Sequence, residues 1–239
     1  RLAARGYSLV LVSNQEEQLK QLQQELSSRH SVRVELLHIN LARNEAASEV
    51  FNFCQQKNLE VEVLVNNAGI FFFGEIADAD IVRAQAIIQL HIMTSSLLCT
   101  LFGNEMRKRS KGFILNNSSI SAFKDFPGIG YYGATKSYIK SVTRSLRTEL
   151  KFYGVHVTCL CPGATATNLY DPNVIDVERG KKLGIMMSAE KVATLGVKGL
   201  FNDKAVVIPG FMTRLMLFLA VLTPQWVIYE IRKRTKFLR

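Results

Sequence analysis

Cysteine is scarce in this chain: only Cys54, Cys99, Cys159 and Cys161 occur among 239 residues. They form no C-x-x-C pair and have no accompanying His cluster, which excludes a disulfide-stapled scaffold and implies no metal. A reducing compartment, hence a cytoplasmic location, is expected. Proline is scarce too, at five residues, and no low-complexity tract, internal repeat or Pro/Gly/Ser-rich linker divides the sequence. There is no basic segment followed by an apolar leader core, and the chain enters on Arg1 without an initiator Met. The uncharged stretch Leu215 to Tyr229 is only fifteen residues long and contains Pro224, whereas a transmembrane helix needs about 20 residues. Acidic residues are the minority, 20 against 30 Lys and Arg, leaving a net charge of +10. That balance suits an anionic ligand, a nucleic acid or a membrane surface.

What the chain does have is a large apolar share, 48% hydrophobic against 21% charged, enough to bury the core of one globular domain. Short β-branched runs alternate with longer segments of helical period. The strands are expected at Leu9 to Val12, Val32 to Ile39, Val61 to Val65, Phe113 to Asn117, Val155 to Leu160 and Ala205 to Ile208. Between them, helices are expected around Leu19 to Leu26, Glu45 to Gln56, Asp80 to Arg107 and Tyr132 to Phe152. The strands are apolar throughout rather than alternating, so the sheet should be parallel and covered on both faces.

The residues of greatest chemical interest are Ser119, Tyr132 thirteen residues later, and Lys136 four further on. Positions i and i+4 share a helical face, so Lys136 can hold its ammonium beside the Tyr132 phenol. A phenol of pKa ~10 is a poor acid-base group at neutral pH, and a neighbouring cation makes it usable by stabilising the phenolate. Ser119 ends a strand, where open α/β sheets bind ligands, and can donate to a carbonyl oxygen. A bare Y-x-x-x-K also arises on any amphipathic helix with a core Tyr and a solvated Lys; the Ser at this distance improves the case.

Two turns follow strands: Asn66-Asn67-Ala68-Gly69 after Val61 to Val65, and Cys161-Pro162-Gly163-Ala164-Thr165-Ala166-Thr167 after Val155 to Leu160. Either alone could be a strand-ending turn. In this order, with Ser119, Tyr132 and Lys136, they resemble the short-chain dehydrogenases/reductases, over essentially the whole chain from Gly6-Tyr7-Ser8-Leu9-Val10 onward. The resemblance implies a doubly wound, Rossmann-like α/β fold and hydride transfer between NAD(P)(H) and an alcohol or ketone. It implies Tyr132 as general acid-base, Lys136 as its tuner and ribose ligand, and Ser119 as the group that orients the carbonyl. It also implies that Asn66, Ala68 and Gly69 line the adenosine side, and that Pro162, Gly163, Thr165 and Thr167 belong to the segment fixing the nicotinamide carboxamide. Phe71, Phe72 and Phe73 would supply an apolar substrate wall, or simply core.

The sequence departs from that family at three places. His91 stands where a relay asparagine is usual, and two readings stay open: a proton relay through its two ring nitrogens, or a satisfied core histidine. Where NAD-users carry an acid after the second strand, this chain has Ser13-Asn14-Gln15. The missing acid favours NADP(H), although the usual Arg is also missing, its place taken by Asn14, and Asn40 replaces an Asp beside the adenine. Nothing ahead of Leu9 supplies the family's first strand or its T-G-x-x-x-G-x-G turn, so an upstream segment of roughly 20 to 30 residues is expected.

Six cations from Arg214 to Arg239 face Glu230 alone, giving the C-terminus a net +5. Two helices broken at Pro224 are expected there. They would close the substrate pocket or a dimer interface, or else lie on an anionic lipid surface with Trp226 as an interfacial aromatic. We therefore expect a catalytic domain over residues 1–210 and a helical extension over 211–239, acting on a hydrophobic ketone or secondary alcohol. The alternative is a non-catalytic relative used as a binding scaffold. Nucleic-acid binding is not expected, since the cations concentrate in one apolar tail without an aromatic-basic recognition surface.

Overall fold

The computed structural model describes residues 1–167, 178, 180 and 184–234. Strand β1 (Leu9–Ser13) feeds helix α1 (Glu16–Arg29), which buries Leu19 and turns Glu17, Lys20 and Gln24 to water. Strand β2 (Val34–His38), helix α2 (Ala46–Gln56) and strand β3 (Val63–Asn66) follow. The long helix α3 (Ile81–Lys108) leads to β4 (Gly112–Asn117), helix α4 (Gly130–Lys151) and β5 (Val155–Leu160). After a two-residue pair, β6 (Thr165–Ala166) with β7 (Met187–Ser188), the chain forms α5 (Ala189–Phe201) and β8 (Val206–Val207). Helices α6 (Phe211–Leu222) and α7 (Gln225–Arg234) complete the described chain, bent by 102° at the break that holds Pro224.

The strand boundaries fall within two residues of expectation, and the starts of β2 and β3 differ most. Strand β2 starts two residues later than Val32, because Val32 N–H bonds back to His30 O at 2.7 Å and ends the α1 turn. Strand β3 likewise runs Val63–Asn66 rather than Val61 to Val65, although Phe113 N–H already reaches Glu62 O at 2.9 Å. The α3 segment is a continuous helix with a π-helical turn at Gln89–Thr94, a feature that apolar periodicity cannot reveal. It starts where Asp80 Oδ1 accepts from Arg83 N–H at 2.8 Å. Although α3 is long and apolar enough to span a membrane, it packs against α2 and α4 as a core helix.

Every strand pairing among the described residues is parallel. Strands β3, β4, β5 and β8 form one sheet in that order, and β1 pairs with β2 in another, Leu9 opposite Val34. Consecutive residues of β4 show why both faces are apolar. Ile114 joins a cluster with Val50 and Cys54 of α2, Phe102 and Met106 of α3 and Leu150 of α4. Leu115 points the other way, to Val192 and Leu200 of α5. The helices thus divide between the two faces, as in a doubly wound sheet, and the carboxyl ends of the strands are left for a site.

Candidate active site

Strands β1, β3, β4 and β5 end on one cavity of about 1650 Å³. Ser119 follows β4 and caps a short turn, Ile120–Phe123, its Oγ accepting from Ser121 N–H at 3.1 Å. An accepted bond leaves the hydroxyl proton to be donated elsewhere. Ser118 Oγ donates to Lys136 O at 2.7 Å and so fastens the end of β4 to helix α4. One turn apart on α4, Tyr132 and Lys136 face the same side, the Lys136 ammonium 5.5 Å from the Tyr132 ring centroid. Its Nζ donates to Asn117 O at 2.9 Å. The Phe71 ring meets Tyr132 edge-on, with centroids 5.0 Å apart. Phe71 and Phe73 line the cavity; Phe72 lies outside it, against Tyr131 and Arg83. Phe73 has its seat because Gly128 combines a φ of +83° with no side chain, and a Cβ there would sit 2.5 Å from the Phe73 ring.

Lys136 is 4% exposed, and burial pushes its pKa down to about 8 from 10.5. Below about pH 8 the ammonium is charged in both native and unfolded chains, and its burial costs the fold the full penalty. As pH rises towards 10.5 the unfolded chain holds the extra proton and native stability increases. Without cofactor, Lys136→Met should therefore be the more stable protein near neutrality. That advantage should shrink by about 3 kcal/mol by pH ~10.5. Urea unfolding of both proteins across that range checks this, and a pH-independent difference would contradict it.

His91 lies on the π-turn of α3, 0% exposed, and does not line the cavity. Its Nε2 meets Ile70 N–H at 3.1 Å and must accept, so in the neutral ring Nδ1 carries the proton and donates to Thr135 Oγ1 at 2.9 Å. Thr135 Oγ1 in turn donates to Tyr132 O at 2.9 Å. Burial, aided by the Lys136 charge, pushes the imidazole pKa down to about 2, so the ring stays neutral. His91→Ala leaves an orphaned Ile70 N–H and a cavity, and a loss of about 3 kcal/mol is expected in chemical denaturation.

Of the remaining expected positions, Ser13, Asn14, Asn66, Ala68, Gly69, Pro162, Gly163, Thr165 and Thr167 all line the cavity. Ser13 Oγ accepts from Gln15 N–H at 3.2 Å, and Asn14 is exposed. Asn40 is not brought to the cavity; its Oδ1 accepts from Ala42 N–H at 3.0 Å in a local turn. Asn66 Nδ2 donates to Asn116 Oδ1 at 2.8 Å, and Asn116 Nδ2 to Thr143 Oγ1 at 3.0 Å, a buried amide chain joining β3, β4 and α4. Asn117 Nδ2 donates to Asn67 Oδ1 at 3.0 Å, while Asn117 Oδ1 is buried without a partner.

Sequence reasoning passed over Asn67, Asn116, Asn117 and Thr135. The available signal was two amides closing an otherwise apolar strand, where packing alone would favour aliphatic residues. It also passed over Cys159 and Cys161, whose sulfurs lie 3.5 Å apart in the buried wall behind Lys136.

A parallel sheet with helices on both faces, whose strand ends share a cavity with Ser119, Tyr132 and Lys136, has the architecture of a Rossmann-like α/β protein. The family model for short chain dehydrogenases matches residues 1–177, and the chain belongs to that family. It is 32% identical to sulfoacetaldehyde reductase 2 of Chromohalobacter salexigens over 173 residues, which cover 70% of this chain and 66% of that protein. It is 29% identical to the rat very-long-chain 3-oxoacyl-CoA reductase, again over 70% of this chain but only 54% of the relative. A short-chain dehydrogenase from Sphingobium yanoikuyae, solved with NADPH, superposes with a TM-score of 0.81. The two are 25% identical, over 98% of this chain and 91% of that one.

Proposed function

We propose that this protein transfers a hydride between NAD(P)(H) and an apolar ketone or secondary alcohol. The observation that carries the proposal is that Ser119, Tyr132 and Lys136 all line one cavity, with Lys136 beside the Tyr132 ring and Phe71 edge-on to it. In the reducing direction Tyr132 gives its phenolic proton to the carbonyl oxygen, and Ser119 Oγ–H donates a hydrogen bond to the same oxygen. Lys136 stabilises the phenolate left behind. A nicotinamide held in this cavity would supply the hydride. Phe71 and Phe73 favour substrates with apolar flanks.

The residues fit a dinucleotide at its nicotinamide end. Asn117 Oδ1 is a buried acceptor awaiting a donor, and Lys136 Nζ and the turn from Pro162 to Thr167 border the same space. These groups would hold the ribose and carboxamide, with Asn66, Ala68 and Gly69 on the adenosine side. No carboxylate stands at Ser13-Asn14-Gln15, and this supports NADP(H) over NAD(H). The name of the rat relative supports a long apolar oxo substrate. We read His91 as a positioning residue that ties the Ile70 backbone to α4, not as a relay, because both its nitrogens are engaged.

That last point also favours a second reading, a non-catalytic scaffold of the same family. One experiment separates the two: NADPH and NADH are mixed with the purified protein and a panel of aliphatic and cyclic ketones, and nicotinamide absorbance and cofactor binding are followed together. Consumption of NADPH with an apolar ketone is expected. Binding without consumption would select the scaffold, and the absence of both would reject the dinucleotide reading. His91→Asn should lower thermal stability without moving the pH profile; a shifted profile would return His91 to the proton path.

A further inference from the structure

Helix α6 is apolar on the side that faces away from the protein. At 3.6 residues per turn, Phe211, Leu215, Phe218 and Leu222 fall on one stripe, and they are 80%, 40%, 61% and 63% exposed. The opposite side carries Thr213, Leu217 and Ala220, the residues of α6 that are partly covered, and Leu217 and Ala220 line the cavity. A helix on a protein surface normally turns a polar side to water; this one has only Thr213 and Arg214 as polar residues and turns apolar side chains outward. Beyond the bend at Pro224, helix α7 exposes Trp226 by 69% and Tyr229 by 57%. The flanking charge is positive: Arg214 on α6, then Arg232, Lys233 and Arg234 in the last turn of α7, with Lys236 and Arg239 beyond them in the sequence. Arg232 is joined to Glu75, and Lys233 bonds Glu230 at 3.1 Å, so two carboxylates offset part of this charge and the excess stays positive.

We propose that α6 and α7 dock this protein on an anionic lipid surface, the α6 stripe entering the acyl boundary and the basic end of α7 lying among the headgroups. An outward apolar stripe flanked by Trp, Tyr and cations matches the layered chemistry of a bilayer interface. A second copy of this chain would bring the same cations against one another, and anionic headgroups would neutralise them. The 102° bend lets both helices lie along a surface instead of crossing it.

Trp226 is the chain's single tryptophan, so intrinsic fluorescence reports directly on this surface. The full-length protein is mixed with vesicles of phosphatidylcholine, alone or with phosphatidylserine, and binding is read by co-sedimentation and by Trp226 emission. Binding to the phosphatidylserine vesicles, a blue shift, and quenching by brominated lipid are expected, with loss of affinity at high salt. Phe218→Asp with Leu222→Asp, both at exposed positions, should weaken binding by roughly tenfold or more while circular dichroism stays unchanged. Brominated-lipid quenching in the unmodified protein keeps the test decisive if that variant misfolds. Failure to sediment with either vesicle would overturn the proposal. So would a blue shift that appears without lipid and grows with protein concentration alongside a dimer mass in ultracentrifugation, since a second copy would then cover the stripe.

Discussion

Tyr132→Phe is expected to abolish ketone reduction, lowering kcat by about 10²- to 10⁴-fold, the range a positioned acid contributes. NADPH affinity should stay within about twofold, because an interaction with the transferred proton is made only on the way to the transition state. The substitution removes one oxygen and keeps the ring. The edge contact with Phe71 at 5.0 Å and the Lys136 ammonium at 5.5 Å from the ring centroid therefore persist, as does the bond from Lys136 Nζ to Asn117 O. Ser119→Ala should cost a similar or smaller factor, about 10²-fold, since it removes one donor to the developing oxyanion. Combining the two should lose far less than the product of the single effects, because groups acting on one oxygen are not additive. Turnover of Tyr132→Phe within a few-fold of the unmodified protein, with NADPH bound equally well, would sink the assignment of Tyr132 as the acid.

Much of this could be read before any coordinates, and the reasons differ by element. Strand Gly112–Asn117 was legible because a sheet covered on both faces demands consecutive apolar residues, here Phe113, Ile114 and Leu115. Tyr132 and Lys136 were legible as a pair because helical geometry alone sets i and i+4 side by side. Asn40 was not legible as a turn residue, since its Oδ1 bond to Ala42 N–H depends on the local path of the chain and not on residue type. The role of His91 was undecidable from sequence for a related reason. Imidazole can relay a proton or brace two segments, and only the positions of Ile70 N–H and Thr135 Oγ1 say which nitrogen is committed to what. Which face of helix α6 looks outward was not legible for the opposite reason. Its composition was plain, but exposure depends on which side the rest of the fold covers, and no periodicity within Phe211–Leu222 encodes that.

The largest effect is expected from the sheet itself. Strand β1 has β2 on one edge, β3 has β4 on one edge, and no ladder joins β1 to β3. Residues Leu9 to Val12 and Val61 to Val65 instead both line the large cavity. Every residue of β1 is only partly covered, and Val65 of β3 is 38% exposed, although both strands are as apolar as the buried β5. Two apolar strands, each with one unpaired edge on a shared space, define a slot whose natural filling is a further parallel strand between them. Each ladder hydrogen bond left unmade along these edges forgoes about 0.5 to 1.5 kcal/mol, and several together rival the ~5 to 15 kcal/mol by which a domain is stable. The cavity between the two strands is also lined by Asn66, Ala68 and Gly69, the residues proposed for the adenosine side, and no glycine-rich turn borders it on the β1 side to approach a pyrophosphate. With those two edges unpaired, the protein should melt without a sharp cooperative transition. Its affinity for NADPH should rise by roughly 100-fold or more in an engineered chain that carries an apolar strand and a glycine-rich turn in that slot, equivalent to gaining about two charge-assisted hydrogen bonds. Calorimetry and cofactor titration of the two proteins side by side check both halves of this expectation. Cooperative melting and tight NADPH binding by the unmodified protein would refute it, and would mean that β1 and β3 close the slot by pairing directly.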